Sequence, residues 1–212
     1  MIKEKSEPYR EVDMKRFLHV GCGRKKKDQT TKGFRTDDWA ELRLDINKAV
    51  EPDVVGTMTD MSQLESDSVD AIFSSHNIEH LYPHEVNLAL KEFLRVLRVS
   101  GFAVITCPDL QSVCDLVVQD KLTDPAYVSP AGPIAPIDIL YGHRASMSSG
   151  NTYMAHRCGF TQKVLAATLY ATGFKTVVTR RRAQNFDLWA IASASSCSEE
   201  EMKALALLHF PG

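Results

Sequence analysis

The stretch Phe17-Leu18-His19-Val20-Gly21-Cys22-Gly23 decides the fold of this 212-residue chain. Its first four residues are mostly apolar and lead directly into Gly-x-Gly, a pattern typical of a buried strand that ends in a tight turn. Glycines at such a turn let the backbone approach a ligand closely, although plain structural loops also contain Gly-x-Gly. We therefore expect a strand followed by a ligand-binding turn.

Two further strands end in carboxylates. Residues 40–45 (AELRLD) end at Asp45, at the spacing from the glycine turn at which doubly wound α/β sheets offer an acid to a ribose. Residues 54–61 (VVGTMTDM) predict a third strand that ends at Asp60 and Met61. A carboxylate followed by an apolar side chain can accept from the amine of an adenine and contact its face. The turn and the two acids predict a cofactor that contains a nucleoside.

The remaining pattern alternates strands and helices, as in a doubly wound Rossmann-like α/β sheet. His76-Asn77-Ile78-Glu79-His80-Leu81 follows the fourth strand, at the sheet edge where ligands bind. A short link between the last two strands predicts an antiparallel pair in a mostly parallel sheet. After the third strand we expect strands at 71–75, 102–108, 174–179 and 188–193, and helices at 86–99, 110–118, 161–172 and 199–209.

Composition limits the organisation and the partners. With 44% hydrophobic and 25% charged residues, we expect a single domain over 1–212, with a core of about 15–193. A net charge of -2 gives no general attraction to nucleic acid or an anionic membrane, so neither is an expected partner. The chain shows no signal peptide or membrane-spanning run, which favours a cytoplasmic protein. Five cysteines without a C-x-x-C pair indicate reduced thiols, and we expect no metal ligands.

Three segments interrupt the regular pattern. Residues 1–14 are charged and contain Pro8, which predicts a loose lead-in. The run Arg24-Lys25-Lys26-Lys27 stands where a dinucleotide-binding unit usually has its third glycine, and is either a solvated face or a phosphate contact. Residues 109–160 are rich in proline and contain aromatic and cationic side chains. We expect this insertion to be a lid over the acceptor, the alternative being a structural insertion or a dimer contact.

The order of the motifs FLHVGCG, LRLDIN, TDMSQLESDSVDAIFSSHNIEHL, LKEFLRVLRVSGFAVITCPDL and HRCGFTQKVLAATLYATGFKTV resembles class I S-adenosylmethionine-dependent methyltransferases, closest to the type 11 group. The resemblance covers roughly residues 15–193. It implies a seven-stranded sheet with an antiparallel last strand and S-adenosyl-L-methionine as cofactor. The family commonly has an acid at the position of His19, and the lysine run replaces a third glycine.

The resemblance also implies roles for individual residues. The glycine turn would approach the methionine portion, Asp45 the ribose, and Asp60 with Met61 the adenine. The full set expected at the cofactor is His19, Gly21, Cys22, Gly23, Asp45, Ile46, Asp60, Met61, Ser75 and His76. A general base must deprotonate the acceptor, and histidine suits that task. The catalytic candidates are His156, His143, His80 and Glu79, and the substrate-binding candidates are Tyr141, Arg144 and Arg157.

The acceptor stays open at this stage. We expect a small-molecule or saccharide-type acceptor methylated on O, N or C, and a monomer or homodimer. Two other functions also fit parts of the pattern. A dinucleotide-dependent oxidoreductase would use the glycine turn and Asp45, but would normally need Gly-x-Gly-x-x-Gly. A non-catalytic S-adenosylmethionine-binding module would accommodate the departures at His19 and the lysines.

Overall fold

The computed structural model describes residues 14–212, so most of the predicted lead-in over 1–14 lies outside the described residues. Among these residues the first four strands are joined by loops and short 3₁₀ turns, and the first α-helix follows the fourth strand. The strands are β1 (Lys15–Val20), β2 (Trp39–Asp45), β3 (Val54–Val55), β4 (Val69–Ser75), β5 (Leu97–Pro108), β6 (Tyr127–Ser129), β7 (Gly132–Ile134), β8 (Thr176–Arg182) and β9 (Asp187–Ser193). The helices are α1 (Pro83–Val96), α2 (Leu110–Val118), α3 (Pro136–Tyr141), α4 (Arg144–Ser148), α5 (Gln162–Thr172) and α6 (Glu199–His209).

Seven strands form one sheet in the order β3-β2-β1-β4-β5-β9-β8. All neighbours pair in parallel except β9, which is antiparallel to both β5 and β8. The predicted doubly wound sheet with an antiparallel last strand is therefore confirmed. A separate two-stranded sheet, β6–β7, was not predicted.

The register of the central strands brings the predicted ligand-binding residues to one edge. Val20 at the end of β1 pairs with Leu44 of β2 and with Ser74 of β4. Because these strands are parallel, Gly21, Asp45 and Ser75 all follow at the same carboxyl edge.

Apolar residues cover both faces of the sheet. Leu18 faces a core formed with α1 and α5, whereas its neighbour Phe17 faces a core formed with α6. Successive residues of a strand point to opposite faces, so an apolar run such as residues 17–20 indicates a central strand buried on both sides. Phe17 stacks on Phe34 with ring centroids 4.4 Å apart. Each fully buried phenylalanine contributes about 1.5–3 kcal/mol, which anchors the strand that carries the glycine turn.

Several predicted boundaries were wrong. Helix α1 covers Pro83–Val96 rather than 86–99, and β5 begins at Leu97 rather than at 102. The Glu85 carboxylate accepts from the backbone N–H of Tyr82 and fixes the start of α1 one turn earlier than its apolar stripe indicates. The third strand contains two residues and ends before Asp60.

Residues 109–160 form an ordered set of short elements and lie against the carboxyl edge. A bridge between Asp109 and Phe160 closes the base of the segment. The N–H groups of Arg157 and Cys158 donate to the carbonyl of Glu79, which ties the end of the segment to the loop after β4. No helix among residues 14–212 is long and apolar enough to cross a membrane.

Candidate active site

A cleft of about 430 Å³ opens at the carboxyl edge of the sheet. Its volume is within the range of small-ligand pockets, roughly 300–1,000 Å³. One end is formed by the glycine turn and the ends of β2 and β4, and the other by residues of the 109–160 segment. The lining residues are Gly21, Gly23, Leu44, Asp45, Ile46, Asn47, Val50, Gly56, Thr57, Met58, Thr59, Ser75, His76, Asn77, His80, Leu81, Glu85, Asn151, Tyr153, Met154 and Arg157.

The glycine turn depends on left-handed backbone at two positions. Gly21 has φ +58° and Gly23 has φ +54°, a region that favours glycine. A Cβ on Gly21 would lie 2.0 Å from Oδ1 of Asn77, so the turn also needs the missing side chain for space. Asn77 donates from Nδ2 to the carbonyl of Val20 and joins the turn to the end of β4. The turn is thus held in one shape before any ligand binds.

Asp45 contributes both to the turn and to the cleft. Its Oδ2 accepts from the N–H of Gly23 at 2.8 Å, and its Oδ1 accepts from the N–H of Asn47 at 2.8 Å. A carboxylate has about four lone-pair positions, so each oxygen can accept one more hydrogen bond. Asp45 can therefore bind two hydroxyl groups of a ligand while it holds the turn.

His19 and Cys22 lie beneath the turn and do not line the cleft. His19 is 2% exposed, and its Nδ1 lies 2.6 Å from Oε1 of Glu41. Burial lowers the pKa of His19 more than the contact with Glu41 raises it. Glu41 also accepts from the N–H of Lys27, so His19 orders the loop after the turn. The contacts of His19 and of the Cys22 backbone with the cofactor stay predictions.

The lysine run is partly structural. The ammonium of Lys27 donates to the carbonyls of Thr36 and Trp39, at 2.9 and 2.8 Å, and its N–H binds Glu41. Arg24, Lys25 and Lys26 are exposed. Lys27 therefore closes the loop that replaces the usual glycine-led helix, while its neighbours form the solvated face that was one of the two expectations.

The structure does not place Asp60 or Met61 at the cleft. Met61 is 1% exposed in the core, and its N–H donates to Oε2 of Glu92 while its carbonyl accepts from Arg95. Asp60 is exposed and accepts from the N–H of Ser62. These hydrogen bonds hold both residues outside the cleft lining, where Thr57, Met58 and Thr59 lie instead. The adenine contacts of Asp60 and Met61 stay predictions.

His76 and Glu79 form a close pair at the cleft wall. His76 has φ +56°, and its half-exposed ring places Nδ1 3.3 Å from Oε1 of Glu79, which is 1% exposed. Partial burial lowers the pKa of His76, but the Glu79 carboxylate raises it by more, so the net pKa is raised. Burial raises the pKa of Glu79, and the neighbouring imidazoles, led by His76, lower it below its usual value.

His80 and His156 meet across the cleft wall, with ring centroids 4.9 Å apart. Nδ1 of His80 lies 3.1 Å from the carbonyl of Ala155, and Nδ1 of His156 lies 2.7 Å from the carbonyl of Ile139. A carbonyl only accepts, so each Nδ1 carries the proton and each Nε2 is left as the basic atom. Burial lowers the pKa of His156.

The 109–160 segment contributes a different set of residues from the predicted one. Arg157 lines the cleft, donates to the carbonyl of His80 and stacks over the ring of Tyr82 at 4.7 Å. Asn151, Tyr153 and Met154 line it as well. None of the other four candidates lines the cleft, and His156 packs against the His80 ring. Tyr141 is 63% exposed, Nδ1 of His143 contacts Ser146, and Arg144 pairs with Asp138, which fixes the junction of α3 and α4.

Residues 18–105 match the sequence family described as "Methyltransferase domain". The matched range contains β1, β2, the glycine turn, Asp45 and the loop after β4. This matched range, which is less than half of the chain, is similar to methyltransferase domains. No curated protein matches the sequence.

Solved methyltransferase structures share the fold. An S-adenosylmethionine-dependent methyltransferase from Archaeoglobus fulgidus superposes with a TM-score of 0.52 at 16% identity, covering 85% of this chain and 86% of that chain. The 1,6-didemethyltoxoflavin-N1-methyltransferase of Burkholderia thailandensis was solved with S-adenosylhomocysteine. It superposes with a TM-score of 0.53 at 15% identity, covering 85% of this chain and 71% of that chain. The CMeT domain of a citrinin polyketide synthase superposes with a TM-score of 0.54 at 13% identity. The match covers 88% of this chain but only about half of that chain (48%).

The Archaeoglobus fulgidus neighbour is described as S-adenosylmethionine-dependent, so S-adenosyl-L-methionine is the group to compare with the cleft. The chain's own residues fit this group at three points of the cleft. The open backbone of the turn can approach a charged methionine portion, the spare lone pairs of Asp45 suit ribose hydroxyls, and Met58 offers an apolar surface to a base. When bound, the cofactor supplies a methyl group already activated on a sulfonium.

Sequence reasoning missed two residues that organise the glycine turn. Arg43 is 4% exposed and donates from Nη2 to the carbonyl of Gly23 at 2.6 Å. Asn77 fills the space beside Gly21. A charged residue inside the strand LRLD was the available signal for Arg43, because a buried arginine needs partners for its donors. No comparable signal marked Asn77.

Proposed function

We propose that this methyltransferase moves the methyl group to an O, N or C atom of a small polar acceptor, with saccharides as one class. The single observation that carries the proposal is the continuity of the cleft. The same cavity reaches from the glycine turn and Asp45 to Asn151, Tyr153 and Arg157 of the 109–160 segment. Hydrogen-bonding and cationic groups at that end suit an acceptor with hydroxyl or anionic groups.

We infer that His76 removes the acceptor's proton. The His76 imidazole lies at the cleft, and its Nδ1 contacts the Glu79 carboxylate. Nε2 is therefore free to accept a proton. The raised pKa of His76 keeps it effective as a base near neutral pH. Orientation is the second contribution, since holding the acceptor oxygen about 3 Å from the methyl carbon supplies several kcal/mol. Segment 109–160, with Arg157 anchored on His80, would supply that orientation as a lid.

Three titrations test the cofactor assignment. Calorimetry with S-adenosylmethionine, S-adenosylhomocysteine and NAD should show binding of the first two and none of NAD. NAD binding without S-adenosylhomocysteine binding would favour the oxidoreductase alternative. The non-catalytic alternative predicts cofactor binding but no methyl transfer to any member of a panel of monosaccharides, phenols and amines with methyl-labelled S-adenosylmethionine.

A matched pair of tyrosine variants tests the lid. Tyr153 and Tyr141 are both exposed residues of the 109–160 segment, but Tyr153 lines the cleft and Tyr141 does not. Tyr153→Ala should raise the KM for the acceptor severalfold or lower kcat, while the affinity for S-adenosylhomocysteine stays within about twofold. Tyr141→Ala should leave the KM, kcat and the affinity for S-adenosylhomocysteine unchanged. Equal effects of the two substitutions would count against the lid. The cytoplasmic location and the monomer or homodimer state stay as proposals from the sequence.

A further inference from the structure

Glu79 is a buried carboxylate without a hydrogen-bond partner. Its residue is 1% exposed, and neither Oε1 nor Oε2 accepts a hydrogen bond from any group of residues 14–212. The 3.3 Å approach of His76 to Oε1 is an ion-pair contact that leaves Oε2 unassigned. Burying a carboxylate is costly unless its oxygens are paired or coordinate a metal ion, and Oε2 has no such partner among the described residues.

The side chains around Glu79 have the donor set of a metal site. One ligand atom each of Glu79, His80 and His156 lie within 4.8 Å of one another. Two histidines and one carboxylate bind Zn²⁺ in catalytic sites and iron in related ones. These three residues come from the loop after β4 and the end of the 109–160 segment, so the fold rather than local sequence brings them together.

In both histidines, one ring nitrogen contacts a backbone carbonyl, as in histidines that bind metal ions. A ligating histidine almost always donates its other ring N–H to a carbonyl or carboxylate, which fixes the ring and leaves one nitrogen for the metal. Nδ1 of His80 contacts the carbonyl of Ala155, and Nδ1 of His156 contacts the carbonyl of Ile139. Both Nε2 atoms are therefore left free to coordinate a metal ion.

We propose that Glu79, His80 and His156 bind one divalent transition-metal ion, for which Zn²⁺ is the primary probe. Bonds of about 2.1 Å to a tetrahedral ion would place ligand atoms about 3.4 Å apart, so the side chains would draw together by about an ångström. Three protein ligands leave at least one coordination position open, as in catalytic rather than structural sites. His80 lines the cleft, whereas Glu79 and His156 line a small neighbouring cavity, so the ion would lie in the wall between the two.

The position gives the metal a use in methyl transfer, and this part rests on the proposed function. A hydroxyl of the acceptor bound at the open position would lose its proton more easily, because a divalent ion stabilises the resulting oxyanion. The O–H bond breaks, the proton passes to His76, and the oxygen keeps the electron pair that attacks the methyl carbon. The bond from the methyl carbon to the sulfonium sulfur breaks at the same time, and S-adenosylhomocysteine leaves with that electron pair. Glu79 would then contact the metal with one oxygen and orient His76 with the other.

Metal binding can be measured without any acceptor. Full-length protein is dialysed against a chelator and titrated with Zn²⁺, and with Co²⁺ to record its visible absorption. Wild type should bind one Zn²⁺ per chain, and Co²⁺ should give the absorption bands of a four- or five-coordinate ion. His156→Ala and the isosteric Glu79→Gln should each weaken Zn²⁺ binding by more than about a hundredfold, since even outer-shell partners contribute roughly 10- to 100-fold.

His143→Ala is the matched control, because His143 lies in the same segment and contacts Ser146 rather than the cluster. It should bind Zn²⁺ like wild type. Wild type without stoichiometric Zn²⁺ binding, or equal losses in His143→Ala and His156→Ala, would overturn the metal site. S-adenosylhomocysteine affinity is measured in every sample. Normal cofactor binding without Zn²⁺ binding overturns the metal site alone, whereas Zn²⁺ binding without cofactor binding supports the metal site and overturns the proposed function.

Discussion

The Arg43 guanidinium donates to the carbonyl of Gly23 at 2.6 Å, and the N–H of the same glycine donates to Asp45. Gly23 is thus held on both sides by residues of the neighbouring strand β2. Arg43 also donates to the carbonyls of Val50 and Glu51, so one side chain joins the glycine turn to the loop after β2. The shape of the cofactor end of the cleft depends on this buried arginine, which does not itself line it.

Replacing Arg43 should therefore weaken cofactor binding indirectly. In Arg43→Met three carbonyls lose their donor, each net hydrogen bond being worth about 0.5–1.5 kcal/mol. We expect a lower melting temperature and an affinity for S-adenosylhomocysteine reduced by about tenfold, measured by calorimetry. Arg16→Met, an exposed position on the neighbouring strand, is the control and should change neither. Unchanged cofactor affinity in a destabilised Arg43→Met protein would show that the turn keeps its shape without it.

Asp45 and Asp60 provide a sharper test of the cofactor site. Asp45→Ala removes a carboxylate that lines the cleft, and charged hydrogen bonds are worth about 1.5–3 kcal/mol. The dissociation constant for S-adenosylhomocysteine should rise tenfold to hundredfold. Asp60→Ala removes an exposed carboxylate outside the cleft and should leave that constant unchanged. A comparable loss in Asp60→Ala would return Asp60 to the binding site.

The sheet was predictable because its signals are local. An apolar run that ends in Gly21-Cys22-Gly23 specifies a buried strand and a turn within seven residues. Helices α2 and α6 have the predicted ranges of 110–118 and 199–209, since each begins at a side-chain cap, Asp109 and Ser198. Such features are determined by neighbours in sequence, which sequence patterns report directly.

The site was less predictable because its contacts span the chain. Asp60 fits an adenine contact by spacing, but a hydrogen bond between Met61 and Glu92, 31 residues away, turns that loop around. His156 and His143 look equivalent in sequence, yet only His156 meets His80 among the described residues. That difference depends on how the 109–160 segment folds back on the loop after β4, and no periodic pattern encodes it.

The base of the 109–160 segment depends on a buried ion pair. Asp109 is fully buried and accepts from Arg181 Nε at 2.5 Å and from the N–H groups of Gln111 and Ser112. Arg181→Met leaves the carboxylate without its cation and should lower the free energy of unfolding by about 2–4 kcal/mol in urea titrations. Arg98→Met breaks the more exposed ion pair with Asp70 and should change the free energy of unfolding by less than about 1 kcal/mol. Similar losses of unfolding free energy in both variants would mean that burial does not determine how much the ion pair contributes to stability.

Stability should also depend on pH through His209. This residue is 3% exposed, with Nδ1 2.7 Å from the Thr31 hydroxyl, and burial lowers its pKa to about 4. Unfolding restores an ordinary pKa of about 6.5, so the unfolded chain binds a proton that the folded chain excludes between these two values. The folded protein is therefore fully stabilised above pH 6.5 and loses this contribution as the pH falls towards 4.

The wild-type free energy of unfolding should fall by about 1–2 kcal/mol from this group between pH 7.5 and pH 5. In His209→Asn the amide can keep the hydrogen bond to Thr31, but nothing titrates at that position. The stability difference between wild type and this variant should therefore shrink as the pH falls. Leu207→Ala, an exposed change on the same helix α6, should instead keep a constant difference from wild type. A constant difference for His209→Asn as well would mean that His209 takes up its proton in the folded protein as readily as in the unfolded chain.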